Sequence, residues 1–293
     1  MSTGKTESAV RLKDSYKARL MGKKTLIYVV CIFLCALSLF PFLVMFVNAT
    51  RPSAEIAQRL SIIPGNMLIT NWNTLQERQN FDFVRGMLNS LLVSTSSTAL
   101  CLYVSLMTSY GLVVYKFRGN RAAFTFIMVV LMIPSQVSII GFFNEMYRMN
   151  LINTYWPLIL PAAASPTVVF FLRQYMLGAL PMEIVEAARI DGSGEFRTFN
   201  RIALPMMAPA IATQAIFTFV GSWNNLFTPS MIINSQNKFT MPLLVSLLKS
   251  DRFRTDFGTV YLALSLTVLP LFVVYFALSK FIIGGVALGG VKE

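Results

Sequence analysis

The segment LPMEIVEAARIDGSGEFRTFNRIALP, residues 180–205, combines mixed charge, small residues and proline boundaries between two long apolar runs. Pro181 suits the first turn of a helix, where the missing N–H is not needed. The acid Glu186 follows near the same helix start, where the helix dipole favours negative charge. Asp191 and Gly192 then end the helix and turn the chain. The segment therefore begins with one short helix.

The same segment presents small and aromatic residues in a pattern suited to contact with another protein. Ala187 and Ala188 form helix readily and have almost no side chain, so a partner surface can approach closely. Residues 195–201 read as a second short helix, with Phe196 and Phe199 three apart on one face. Two short helices joined at a glycine predict a compact knob that fits a groove in a partner. The alternative is an incidental surface helix.

Composition places this segment in a membrane protein. The chain has 293 residues, 55% of them hydrophobic and only 13% charged, with mean hydropathy +0.61. Soluble domains usually carry about 25% charged residues. Histidine is absent, and Cys31, Cys35 and Cys101 lie in apolar runs. These features disfavour histidine-dependent catalysis and the usual His/Cys metal sites.

Six apolar stretches are long enough to cross a hydrocarbon core of about 30 Å. They run over residues 25–47, 87–115, 122–143, 154–175, 206–233 and 259–283. The first lacks a clear cleavage site, so we expect a retained helix. The sequence thus predicts an all-α, polytopic membrane protein, with a basic tail at 1–24 and one six-helix domain at 25–293 that includes the loop 178–205.

The basic residues predict the orientation. Seven Lys and Arg residues precede the first stretch, and the turn KFRGNR at 116–121 adds three with no acid. Counted over all flanking segments, 16 of the 25 basic residues fall on the side of the termini. The excess of positive charge marks the cytoplasmic side. We therefore expect both termini in the cytoplasm, with anionic membrane lipid, and not nucleic acid, as the partner of this charge.

The predicted spans have no Asp, Glu, His or Arg in their interiors, although ion-coupled carriers usually need such groups. Polar but uncharged residues are present instead, among them residues 94–98, Ser135, Gln136, Gln214 and Ser222. They could line a pathway for a neutral polar solute. Alternatively they hydrogen-bond between helices.

At the central segment the chain resembles the permeases of binding-protein-dependent ABC importers. Their signature is Glu-Ala-Ala, three residues, Gly, nine residues, Ile, one residue, Leu-Pro. This sequence supplies Glu186, Ala187, Ala188, Gly192, Ile202, Leu204 and Pro205 at that spacing. The resemblance implies the type I importer permease fold. It also implies that the loop 178–205, with Asp191 at its turn, is a coupling helix inserted into a cleft of a separate ATPase subunit.

Further sequence segments look like those of the carbohydrate branch of these importers, particularly the smaller permease of maltose-type systems. They are LINTYWPLILP, FFLRQYM, FVGSWNNLFTP and FIIGGVALGGVKE, and the resemblance extends from about residue 25 to the end. Ser193 departs from the branch, which often has Ala there. The resemblance implies an oligosaccharide importer with a homologous second permease, two ATPase subunits and an extracellular sugar-binding protein.

The chain has no G-x-x-x-x-G-K-[ST] phosphate loop, so nucleotide must bind elsewhere. We expect no cofactor and no catalytic residue in this chain, with ATP and Mg bound by the partner ATPase. In maltose-type relatives the tail 284–290 reaches between the ATPases. It could also be a frayed end.

Trp223, Asn224 and Asn225 are the candidate contacts to solute. Amides can bond sugar hydroxyls, and an indole can cover an apolar sugar face. Helix packing is the competing reading. Three alternatives remain open for function: an ABC permease for another solute such as peptides, an ion-coupled secondary carrier, and a membrane enzyme. The last would need a nucleophile–base set or metal ligands, and neither is evident in the sequence.

Overall fold

The computed structural model describes residues 3–78, 81–134, 138–250 and 256–289, and within these ranges it contains helices and connecting segments but no strand. Ser135, Gln136 and the last residue of the 284–290 tail lie outside the described residues. The principal helices are α1 (Thr3–Asn48), α2 (Ser53–Gln58), α3 (Leu68–Glu77), α4 (Phe83–Val114), α5 (Asn120–Leu131), α6 (Ile139–Arg148), α7 (Trp156–Ile159), α8 (Pro166–Ala179), α9 (Met182–Ile190), α10 (Glu195–Thr198), α11 (Leu204–Met206), α12 (Ala208–Trp223), α13 (Phe227–Ile232), α14 (Met241–Ser250) and α15 (Phe257–Gly289).

Four helical stretches of the described chain are long and apolar enough to cross a membrane. They are Met21–Asn48, Phe83–Val114, Trp156–Ala179 and Phe257–Phe281. A fifth span results if the helices Glu195–Met206 and Ala208–Trp223, which meet at a bend of 79°, count as one. The predicted all-helical, polytopic fold is confirmed, whereas length and composition do not give the predicted count of six.

The third predicted span differs most from the structure. The apolar run at 122–143 corresponds to α5, which has 12 residues and ends at Leu131, and to the separate helix α6. Pro134 follows the end of α5. Proline has no N–H to donate and disfavours helix at the residue before it. A continuous helix across this run is therefore not formed.

Proline also divides the fourth predicted span. The stretch from Trp156 to Ala179 consists of α7, a 3₁₀ turn over Leu160–Ala163 that contains Pro161, and α8, which begins at Pro166. Both prolines lie at helix starts, where the missing N–H costs nothing. The span is therefore built from short pieces.

One basic residue contradicts the prediction that the span interiors are uncharged. Arg173 lies inside the stretch Trp156–Ala179. Its guanidinium carbon is 4.0 Å from the centroid of the Phe124 ring on α5, so a cation–π contact partly offsets the cost of its position. Its Nε is buried without a hydrogen-bond partner among the described residues.

The chain forms two compact units. The first comprises Met1–Asn73 with Asp256–Ser265, and the second comprises Thr74–Thr255 with Leu266–Glu293. In the first unit, Arg51 is only 2% exposed and pairs with Glu55 at 3.1 Å. The Asn71 amide donates to the carbonyl of Ala49 at 2.8 Å. These contacts satisfy polar groups that burial would otherwise penalise.

In the second unit, α4 packs most extensively against α8 and α12. The core at this junction also takes in residues of the segment 180–205. Its buried members are Cys101, Leu106, Tyr110, Val114, Val168, Leu172, Met176, Leu180, Val185, Phe199, Ala203 and Met207. One face of the loop is therefore part of the helical core, and the other face is free.

Candidate functional site

The first helix of the loop ends in a Schellman motif. The N–H of Gly192 donates to the carbonyl of Arg189 at 3.0 Å, and the N–H of Ser193 donates to the carbonyl of Ala188 at 2.9 Å. These two bonds satisfy carbonyls that a helix end leaves without partners. Gly192 has φ +78°, a left-handed conformation that glycine adopts without strain. The Glu-Ala-Ala helix and the signature glycine thus form one structural unit.

The second helix is more irregular than predicted. α10 covers Glu195–Thr198, continues through a π-helical turn at Phe199–Ala203, and passes into α11. The prediction that Phe196 and Phe199 share one face is wrong, because only one of the two rings is exposed. Phe196 is 66% exposed, while Phe199 is buried. Phe199 packs edge-on against Tyr110, with ring centroids 5.4 Å apart.

The signature residues divide into an exposed and an inward set. Glu186, Ala187, Asp191, Gly192 and Pro205 are exposed, Ile202 and Leu204 are half-buried, and Ala188 is buried. Ala188 therefore serves close packing of the loop on its own chain. Ala187 remains available to a partner.

Two exposed apolar residues at the tip of the loop were not among the predicted site residues. Ile190, next to the turn at Asp191, is 87% exposed, and Phe196 on the second helix of the loop is 66% exposed. Large exposed apolar groups rimmed by polar residues mark interaction surfaces. The only sequence signal for Ile190 is an apolar residue directly before an Asp-Gly turn. We call Ile190 and Phe196 the tip pair.

An ion pair links the two helices of the loop. Nε of Arg189 donates to one carboxyl oxygen of Glu195 at 2.6 Å, and both side chains are partly exposed. The other carboxyl oxygen accepts hydrogen bonds from the hydroxyl groups of Tyr115, at 2.8 Å, and Tyr110, at 3.4 Å. The hydrogen bond from Arg189 holds the pKa of the Glu195 carboxyl below its ordinary value. Glu195 is therefore ionised at neutral pH.

The structure places the three predicted solute contacts in different surroundings. Trp223 is 1% exposed, and its indole N–H donates to the carbonyl of Thr267 at 3.1 Å. The side-chain oxygen of Asn225 accepts from the N–H of Thr228, in the first turn of α13, at 3.1 Å. Asn224 is exposed, and its side chain makes no hydrogen bond within the described part of the chain. Asn224 and Asn225 are both exposed, and Asn225 lines a small cavity together with Trp223.

The hydroxyl groups of the predicted pathway meet one another between α4 and α12. The Ser97 hydroxyl donates to Oγ of Ser222 at 2.9 Å. Beside them lies a cavity of about 10 Å³ lined in part by Ser94, Ser222 and Thr240, with room for about one water molecule. The Thr240 hydroxyl is buried there without a protein partner. In this conformation the polar seam is closed to a sugar.

The described residues of the chain contain helices and no strand, and four of its helical stretches are long and apolar enough to cross a membrane, which defines an integral membrane protein. The sequence matches the family of binding-protein-dependent transport system inner membrane components over residues 102–287, and the chain belongs to this family.

Curated relatives match most of the chain. It is 34% identical over 262 residues to the arabinooligosaccharides transport system permease protein AraQ of Bacillus subtilis (strain 168), with 88% of this chain and 92% of that protein covered. It is 31% identical over 256 residues to the lactose transport system permease protein LacG of Rhizobium radiobacter, covering 87% and 92%. It is 30% identical over 256 residues to the sn-glycerol-3-phosphate transport system permease protein UgpE of Salmonella typhi, covering 85% and 91%.

A solved structure shares the fold. It is described as the crystal structure of a bacterial ABC transporter involved in the import of the acidic polysaccharide alginate. One of its chains superposes with a TM-score of 0.77 at 17% identity, covering 89% of this chain and 96% of that chain. The predicted importer permease fold is confirmed.

Proposed function

We propose that this chain is the membrane-spanning subunit of an ATP-driven importer for oligosaccharides, coupled to a separate ATPase through the loop 178–205. The observation that carries the proposal is the fold of the signature. Its glycine closes a Schellman turn, its second alanine packs inward, and the tip pair of Ile190 and Phe196 stays exposed. An apolar tip on a rigid two-helix knob is suited to a cleft in a partner protein.

The energy source in this proposal is external. Two ATPase subunits bind ATP and Mg and close on each other, which moves the coupling loops of this chain and of a homologous second permease. The spans then rock between inward-facing and outward-facing states, and hydrolysis resets them. An extracellular binding protein delivers the solute. Both termini and the loop 178–205 lie in the cytoplasm of a prokaryotic cell, as the distribution of basic residues favours.

A neutral sugar fits the spans better than an anion does. Two of the relatives above belong to systems named for arabinooligosaccharides and lactose, and one to a system named for sn-glycerol-3-phosphate. An anionic solute would favour a free cation in the pathway. The described basic residues of the four candidate spans lie near span ends, with one exception that packs on the Phe124 ring; they are Lys23, Lys24, Arg85 and Lys280 near the ends, and Arg173 on the ring.

Purification and reconstitution test this function. The chain, purified in mild detergent from its native host, should bring a second permease and an ATPase in stoichiometric amount. In vesicles, ATP hydrolysis by this assembly should rise with the binding protein and one sugar of an oligosaccharide panel. Transport by this chain alone, or transport that survives ATP depletion and collapses with an ion gradient, would establish a secondary carrier instead. Stimulation by sn-glycerol-3-phosphate and by no sugar would exclude a carbohydrate substrate.

A further inference from the structure

The loop is connected to the spans by the chain itself, which joins α8 before Pro181 and α12 after Pro205, and by side-chain contacts. The covalent connection to α12 is bent. The chain leaves the loop through Leu204 and Pro205 and enters α12 after Met207. The helices before and after this point meet at 79°. A displacement of the loop along its own helices is therefore poorly aligned with α12. Motion passed to α12 only along the chain would be partly absorbed at the bend before Ala208, since helices bend at prolines and at irregular turns.

The second route runs through side chains to the end of α4. Glu195 lies at the start of α10, and its carboxyl group contacts three elements at once. It accepts from Arg189 at the end of α9, from Tyr110 on α4, and from Tyr115 directly after α4. The guanidinium carbon of Arg189 also lies 5.8 Å from the ring centroid of Tyr115. We call this group the Glu195 junction.

Contacts deeper in the loop strengthen the same route. The Tyr103 hydroxyl of α4 donates to the side-chain oxygen of Asn200 at 3.3 Å. Phe199 packs edge-on against both Tyr103 and Tyr110, with centroids 5.8 and 5.4 Å apart. α4 in turn packs most extensively against α8 and α12. Whatever moves α4 therefore moves the two helices around it.

We propose that Glu195 is a positioning residue that fixes the coupling loop on the end of α4, so that displacement of the loop moves α4 directly and α12 through it. This inference rests on the proposed function, because it assigns a force path to that loop. Glu195 is suited to the task because a carboxylate accepts several charge-assisted hydrogen bonds at once. Within the described part of the chain, none of the seven signature residues makes a side-chain hydrogen bond to α4.

The test uses the complete assembly with its ATPase and second permease, reconstituted in vesicles. The variants are Glu195→Gln, Tyr115→Phe and the double variant. Glu145→Gln is the control, since Glu145 is an exposed acid on α6 outside the loop. The readouts are the ATPase content of the purified complex, ATP hydrolysis, and solute transported per ATP hydrolysed.

We expect Glu195→Gln to lower transport per ATP roughly fivefold with ATPase content unchanged, because hydrogen bonds to a charged group are lost. Tyr115→Phe should have a smaller effect, because it removes only one of the hydrogen bonds to Glu195. The double variant should resemble Glu195→Gln, because the two changes act on the same Tyr115–Glu195 hydrogen bond. Unchanged transport per ATP in Glu195→Gln would overturn the inference. Loss of the ATPase from the complex would also overturn it, because Glu195 would then serve docking. Failure of the proposed function would instead appear in the unaltered protein, as absence of the ATPase or transport without ATP.

Discussion

The indole N–H of Trp223 donates a 3.1 Å hydrogen bond to the main-chain carbonyl of Thr267, so the aromatic side chain at the end of α12 is fixed against α15. The ring also stacks on Phe219 at 5.6 Å. A side chain with 1% exposure and a satisfied donor is a packing element in this conformation. The neighbouring Asn224 points outward, and the two residues therefore call for different experiments.

Trp223→Leu should destabilise the subunit. The change removes a buried aromatic ring and leaves the Thr267 carbonyl without this donor, and large-to-small changes of buried aromatics cost about 3 kcal/mol or more in soluble cores. A lower melting temperature of the purified complex should accompany any loss of transport. An unchanged melting temperature with abolished transport would indicate direct contact with solute.

Asn224→Leu should act on transport and leave stability unchanged. Asn224 is exposed and forms no side-chain hydrogen bond within the described residues, so its replacement breaks no protein contact. We expect sugar-stimulated transport to fall more than basal ATP hydrolysis does. Asn225→Leu is the comparison, since Asn225 is also exposed but its side chain forms hydrogen bonds with Thr228 that the change removes. Equal losses of both activities in Asn224→Leu would point to a packing role.

Gly192→Ala should impair coupling through backbone strain alone. A Cβ at Gly192 would meet nothing within 4 Å, so crowding plays no part, but φ +78° is unfavourable for alanine by about 1–2 kcal/mol. Gly194→Ala is a matched control, because Gly194 has φ −67° and equally open space. Uptake should fall in the first variant and persist in the second. Equal uptake in both would remove the requirement for a left-handed turn.

Ile190→Ser should weaken ATPase binding without unfolding the subunit. The side chain is 87% exposed, so the free subunit loses little, whereas an interface would lose a buried apolar contact. Phe117→Ser is the control, since Phe117 is exposed at the other predicted cytoplasmic turn. The measurement is the ratio of ATPase to permease after purification. Retention of full ATPase content in Ile190→Ser would exclude the tip pair as the docking contact.

The Glu195 junction should weaken in acid. Hydrogen bonding from Arg189 keeps the folded-state pKa of Glu195 below its ordinary value of 4.5. The stabilisation that ionised Glu195 gives to the folded loop is therefore fully present above that value, and it is lost as the pH falls through the lowered pKa. Amide exchange of residues 192–200, measured from about pH 7 to about pH 3 and corrected for intrinsic rates, should show this loss. Glu195→Gln should remove this pH dependence, and a persistent one would assign it to another group.

Helix type and the boundaries of the loop could be predicted from local chemistry. Pro181 precedes α9, and the Asp191–Gly192 turn ends it, because a missing N–H and a positive φ each have few alternatives. The apolar run from 25 to 47 predicts a spanning helix for a different local reason: within a membrane, a helix satisfies all its backbone polar groups internally. The signature spacing predicts the family, which the comparisons confirm.

Other features depend on neighbours that are distant in sequence. Ala188 faces inward and Ala187 outward, yet both are alanine, and only the packing of α9 decides between them. Phe196 and Phe199 differ in the same way, because Tyr103 and Tyr110 of α4 cover one ring and not the other. The sequence by itself determined the helical class, the turn at Gly192 and the family. The tertiary structure decided which side of the loop is free and that Glu195 joins it to α4, because both depend on contacts with residues that are distant in the sequence.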